Sequence, residues 1–152
     1  MNIEKIDGIY YICGSINEDL DLDQYQLPSG KVKFDLSRLK NMNSVGIRDW
    51  VKAMQRLKIS PIYLNCPDFF ILLLNITREL FTNDAEIESF QIPTTCMKCG
   101  REKTYIAKYG VDFFPGKAFQ YRIPTCEFDQ GDLEAMSDIE SDYNFIEQMK
   151  NS

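Results

Sequence analysis

Three of the chain's five cysteines, Cys96, Cys99 and Cys126, carry the spacing with the clearest chemical meaning. In Cys96-Met97-Lys98-Cys99-Gly100, two thiolates one turn apart can approach a single metal ion, and the glycine lets the backbone fold tightly after the second cysteine. One such turn supplies only two ligands. Strand-like runs follow at 103–109 and 117–123, separated by Gly110 and Pro115-Gly116, and a hairpin of the two would return Cys126 to the turn as a third thiolate. Cys126-Glu127-Phe128-Asp129 then places a carboxylate where a repeated C-x-x-C would have its last cysteine. Asp129 is a hard oxygen ligand, and the chain has no histidine to take its place. A structural zinc ion on Cys96, Cys99 and Cys126, with Asp129 or water as the fourth ligand, is therefore expected, with a hairpin that holds its shape by packing alone as the alternative. Cys13 and Cys66 read as small core residues at strand ends.

A second site of possible chemistry is Asn43-Ser44-Val45-Gly46-Ile47. Here a short polar stretch runs into an apolar pattern of helical period, and the unpaired amides and dipole of a helix start favour a negative group such as a phosphate on Ser44. The plainer reading is that Asn43 or Ser44 caps the helix.

Catalysis finds little support. With no histidine, a cysteine nucleophile lacks its usual base, and no P-loop, dinucleotide-type glycine pattern or G-x-S-x-G motif occurs. The acid groups Asp19/Asp21/Asp23 and Asp138/Glu140/Asp142 have the spacing of solvated surface. A formal charge of −6, from 23 acidic against 17 basic residues, would repel a phosphate backbone, and Lys98, Arg101, Lys103 and Lys108 are the nearest approach to a basic cluster. Neither nucleic-acid binding nor enzymatic activity is expected. No apolar run has membrane-spanning length and no leader pattern precedes the first strand, so a cytoplasmic protein without membrane insertion is expected. A Cys99–Cys126 disulfide does not suit that reducing compartment.

The elements that must position these residues follow from hydrophobic period. Val32 to Leu36 alternates with period two, whereas Ile47, Trp50, Val51, Met54 and Leu57 share one helix face. With Ile62-Tyr63-Leu64 behind Ser60-Pro61, they make a βαβ unit in which a short exposed loop carrying Asn43 and Ser44 leads into a helix that starts near Gly46. Gly8 to Ile16 reads as an earlier strand, and Leu20, Leu22, Tyr25 and Leu27 as cover for a sheet edge. Residues 68–81 form a helix apolar around most of its circumference, expected to lie beneath the chain's own C-terminal part, with an oligomer or partner face as the alternative. Residues 85–92 alternate as a strand that Pro93 ends. Leu133, Met136, Ile139, Tyr143, Ile146 and Met149 recur at helical spacing, which predicts a helix over 131–150 packing back on the core.

The stretch Asp35-Leu36-Ser37 through Asn43-Ser44-Val45-Gly46-Ile47 resembles the central segment of the STAS family, the domain of anti-sigma factor antagonists and of anion-transporter tails. The similarity covers roughly residues 3 to 92. It implies an α/β fold, a mixed β-sheet with helices mainly on one face. It also implies a bacterial regulatory module that binds a protein partner, a kinase or sensor, and is switched by phosphorylation at Ser44. Asn43 stands where switching members usually have Asp. Some bacterial STAS-like proteins resemble this chain in carrying a C-x-x-C-G ribbon after the core. The division expected is a STAS-like domain over 1–93, a zinc-ribbon-like β-hairpin over 94–131 and a C-terminal helix over 132–152. A constitutive interaction adaptor, with Ser44 a mere cap, is the other functional reading, and the helix at 68–81 offers a face for homo-oligomerisation.

Overall fold

Asp7-Gly8 has the two successive positive φ angles, 52° and 80°, of the tight turn whose twist suits a two-residue hairpin. It joins β1 (Asn2–Ile6) to β2 (Ile9–Ile16) in antiparallel register, with Ile6 opposite Ile9. From there the computed structural model, which describes residues 1–77, 80, 84–114, 116–121, 124–136, 143 and 145–148, continues as a mixed sheet. β3 (Gly30–Asp35) lies parallel to β2, β5 (Ile59–Leu64) parallel to β3, and β6 (Glu86–Ile87) parallel to β5. The order is β1-β2-β3-β5-β6, with β4 (Leu39–Met42) continuing the same edge of β2 beyond β3.

The parallel pairs need crossovers, and two helices supply them. α1 (Ser44–Arg56) joins the β3–β4 segment to β5 and buries Ile47, Trp50, Ala53 and Met54, the face that its sequence period marks. α2 (Asp68–Ile76) joins β5 to β6 and buries Phe70, Ile71 and Leu74. Both helices sit on one face of the sheet, because the buried ring of Tyr63 on β5 meets each of them. Its hydroxyl accepts a hydrogen bond from Trp50 Nε1 at 2.9 Å, and its ring lies 5.0 Å from that of Phe70. On the opposite face Lys31 and Lys33 stand out from β3 and pair with Glu86 and Glu88.

A second, three-stranded antiparallel sheet has the order β8-β7-β9. β7 (Ser89–Cys96) is central, flanked by β8 (Glu102–Lys108) and β9 (Leu133–Ala135). Glu88 N donates to Tyr63 O, Cys66 N to Ser89 O and Gln91 N to Cys66 O, so β7 sets out from the end of β5. Phe90 lies within 5.2–5.7 Å of the rings of Phe113, Phe119, Tyr143 and Phe145. The buried core runs continuously from Ile12, Phe34 and Trp50 to Ile92, Ala107 and Ile146, on both sides of residue 93.

Four expectations are corrected. The loop expected between β3 and α1 contains β4, a strand too short to betray its period. Pro93 does not end a strand: β7 runs through it to Cys96. The proline is tolerated there because its nitrogen points toward β9, whose paired residues end at Ala135 opposite Thr94. The strand at 103–109 pairs with 89–95 rather than with 117–123, of which residues 117–121 lie outside any strand. Finally, 131–136 is not helical, since Leu133–Ala135 forms β9. Further along, α3 (Phe145–Gln148) is helical, and Tyr143, Phe145 and Ile146 are buried. Ile139 and Met149 of the expected helix lie outside the described residues, as do 78, 79 and 81–83 of the helix read over 68–81. α2 packs against β7 and β4, which, except for the last residues of β7, lie before the appendage expected to cover it.

Candidate metal centre

β7 and β8 are paired up to Thr95 and Glu102, so residues 96–101 must close the hairpin. They do so with Cys96 N donating to Arg101 O at 2.8 Å and Gly100 N donating to Cys96 O at 2.9 Å. Gly100 takes the left-handed conformation, φ 76°, which a glycine enters without penalty. The Cys96 Sγ accepts the amides of Lys98 at 3.4 Å and Cys99 at 3.5 Å.

Residues 126–131 repeat this turn. Cys126 N donates to Gly131 O at 2.7 Å, Gln130 N to Cys126 O at 2.9 Å, and Gln130 is left-handed with φ 59°. Cys126 thus stands where Cys96 does, Asp129 where Cys99 does, and Gln130 in the place of Gly100. Asp129 Oδ1 accepts the Gly131 amide at 2.9 Å. β9 brings the two turns face to face, with Cys96 opposite Leu133 and Met97 N donating to Asp132 O at 2.9 Å. Three side-chain links cross the gap: Lys98 Nζ donates to Asp129 O, Lys103 pairs with Glu127, and the Arg101 guanidinium lies 3.9 Å from the centre of the Phe128 ring.

The result is four donor atoms, one each from Cys96, Cys99, Cys126 and Asp129, all within 4.8 Å of one another. Among the described residues no other group of three or more cysteines and carboxylates converges this way. The three cysteines are free thiols. Cys99 Sγ and Cys126 Sγ are 3.9 Å apart, and Cys96 Sγ is 3.4 Å from Asp129 Oδ1. Tetrahedral zinc bonds of about 2.3 Å to sulfur and about 2.0 Å to oxygen require separations of about 3.8 Å between sulfurs and about 3.5 Å from sulfur to oxygen. The Cys99–Cys126 and Cys96–Asp129 separations match that geometry.

The local electrostatics suit a cation. The Gly131 amide, followed by the Cys99 thiol, holds the Asp129 carboxyl down at about 2, and the amides of Cys99 and Lys98 lower the Cys96 thiol. For Cys99 the Arg101 amide pulls downward, but the Asp129 carboxylate, burial and the neighbouring thiols outweigh it and push the group up to about 11. Cys96 and Cys126 are buried and Cys99 is exposed.

One residue of the centre escaped the sequence reading. A Cβ on Gly131 would lie 2.6 Å from Lys98 Cβ, 2.9 Å from Cys96 Sγ and 3.1 Å from Asp129 Oδ1. The glycine keeps open the space into which the donors point. Its signal in the sequence is its place two residues after Asp129, inside a turn recognisable as a copy only once its hydrogen bonds are seen.

Asn43, Ser44 and Gly46 lie together at the start of α1. Asn43 is the N-cap: its Oδ1 accepts the Gly46 amide at 2.7 Å, and its Nδ2 donates to Glu18 at 2.9 Å. That donated bond holds the Glu18 carboxyl below its ordinary range. The helix begins at Ser44, two residues earlier than Gly46, and Ser44 is exposed. Gly46 is buried inside the first turn rather than in a loop, and its backbone has no positive φ. Asn43→Ala should lower the unfolding free energy by about 1 kcal/mol, as loss of a capping side chain does. An unchanged urea midpoint would remove the cap from the account.

No helix among the described residues is long and apolar enough to cross a membrane. No family model matches the chain, and neither curated proteins nor solved structures give a match.

Proposed function

We propose that this chain is a non-enzymatic, STAS-like protein-interaction module whose second sheet is clasped by a structural zinc ion held by Cys96, Cys99, Cys126 and Asp129. The observation that carries the zinc assignment is the convergence of four donors from two turns with the same hydrogen-bond pattern. Bound there, zinc would join the turns by four coordinate bonds and offset the thiolate and carboxylate charge. With four protein donors, no coordination position is left for a substrate, which favours a structural over a catalytic role. Metal analysis of the purified protein tests this reading. One zinc per chain is expected, and a folded, metal-free second sheet in protein grown with ample zinc would reject it.

The STAS-like reading is supported by the antiparallel β1–β2 hairpin, the parallel run β2-β3-β5-β6, and Asn43-Ser44-Val45-Gly46-Ile47 opening α1. In this reading a protein partner, a kinase or sensor, docks at the start of α1, and Ser44 is the position at which docking is switched. A phosphate on Ser44 adds about −1.5 to −2 charge and strong acceptor oxygens at an exposed helix start, so its effect falls on the docked surface rather than on the fold. Ser44→Asp should change partner affinity several-fold, on the order of 1 kcal/mol, with the melting temperature nearly constant. Equal affinity for Ser44→Asp, Ser44→Ala and the parent would leave the constitutive adaptor as the reading.

A further inference from the structure

The donors of the centre differ in access and in partners. Cys96 is buried, and its Sγ accepts two amides from its own turn. Cys99 is exposed, and its Sγ lies 3.9 Å from that of Cys126, on the other turn. A bond between Cys96 and Cys99 would tie together a turn that the hydrogen bond from Cys96 N to Arg101 O already closes. A bond between Cys99 and Cys126 would instead span the gap that the metal spans. Such a bond needs the two sulfurs to close to about 2.05 Å.

We propose that Cys99 and Cys126 form a redox-labile pair, oxidised by a hydroperoxide to a disulfide with release of the metal. The proposal rests on the zinc reading above. In the first step Cys99, which bound zinc would hold deprotonated, attacks the peroxide as the thiolate, the O–O bond breaks, and Cys99 becomes a sulfenic acid while one oxygen leaves as hydroxide. In the second the Cys126 thiolate attacks the Cys99 sulfur, the S–S bond forms, and the S–O bond breaks to release a second hydroxide. With hydrogen peroxide, two thiolates and two protons become one disulfide and two waters, the sulfurs losing the two electrons that the peroxide gains. Cys96 and Asp129 alone then remain to hold zinc, one thiolate and one carboxylate, too few for a closed site. The disulfide takes over the cross-link between the turns, assisted by the Arg101–Phe128 and Lys103–Glu127 contacts. Oxidation therefore exchanges one clasp for another and leaves the second sheet closed.

The full chain, purified with zinc, is titrated with hydrogen peroxide while a chromogenic zinc indicator follows metal release and a thiol reagent counts free cysteines. One zinc released and two thiols lost per chain are expected, with a Cys99–Cys126 link in non-reduced peptide maps and full reversal by dithiothreitol and added zinc. Retained zinc with all five thiols intact would overturn the switch and leave the zinc reading standing. Protein that takes up no zinc when refolded in its presence would overturn both. Release accompanied by a Cys96–Cys99 link, or by irreversible oxidation of Cys99 alone, would overturn the pairing.

Discussion

Gly46→Val is expected to cost the protein at least about 3 kcal/mol of stability, with much of the purified protein unfolded at 37 °C. A Cβ at this position would lie 2.2 Å from Ile16 O, 2.5 Å from Ile16 C and 2.8 Å from Asn17 N. All three are backbone atoms at the end of β2, so no side-chain rotation relieves the overlap. Ile16 O also accepts the Asn43 amide at 3.1 Å, which pins the start of α1 to the same spot. Relief would require α1 to withdraw from the sheet, and with it Trp50, whose ring lies 5.1 Å from that of Phe34 and whose Nε1 donates to Tyr63. The alanine variant separates close approach from flexibility. In an unobstructed helix, Gly→Ala stabilises by about 1 kcal/mol, whereas here the clash is already complete at Cβ and Gly46→Ala should destabilise. Urea unfolding followed by circular dichroism reads the sign, and a midpoint at or above that of the parent would show that α1 does not touch β2 here.

The βαβ centre was legible because each of its signals is local. β3 alternates over enough residues to establish period two, α1 repeats its apolar stripe over three turns, and Asn43 stands where a cap is needed. What failed depended on partners distant in sequence. Nothing within Leu39-Lys40-Asn41-Met42 reveals that Gly14, Ser15 and Ile16 lie beside it. The strand at 102–108 announces itself, but its register against Ser89–Thr95 rather than a later stretch is not written in its own residues. Leu133 and Met136 fit a helical stripe, yet Leu133 turns inward within a three-residue strand while Met136 is exposed. For the metal centre the donor types were legible from C-x-x-C and Cys126, and Asp129 from its offset. The openness that Gly131 provides and the contrast in exposure between Cys99 and Cys126 arise only where two segments some thirty residues apart meet.

The same meeting of segments makes metal removal the experiment with the largest local effect. β9 has three residues, whose strand partners among the described residues are Thr94, Thr95 and Cys96, and the buried group beneath it, Cys96, Cys126 and Leu133, is separate from the main core. So small an apolar cluster buries little surface, and on the zinc reading proposed above coordinate bonds would supply most of what holds the two turns together. The start of β7 is different, because Phe90 and Ile92 are wholly buried in the main core and Cys66 pairs across to Phe90. Chelation, or Cys126→Ser, should therefore raise amide exchange at Met97, Cys126, Gln130 and Leu133 by at least about a hundredfold, the equivalent of about 2.7 kcal/mol of lost protection. Protection at Ile12, Phe34 and Tyr63 should barely change. Gly131→Val provides the companion test, since it removes no donor. Its Cβ would press on Cys96 Sγ and Lys98 Cβ, both held by the first turn, so the second turn must swing away and carry Asp129 and Cys126 with it. Zinc stoichiometry should fall as far in Gly131→Val as in Cys126→Ser. Full occupancy in the valine variant would mean that the two turns do not close on one ion in this arrangement.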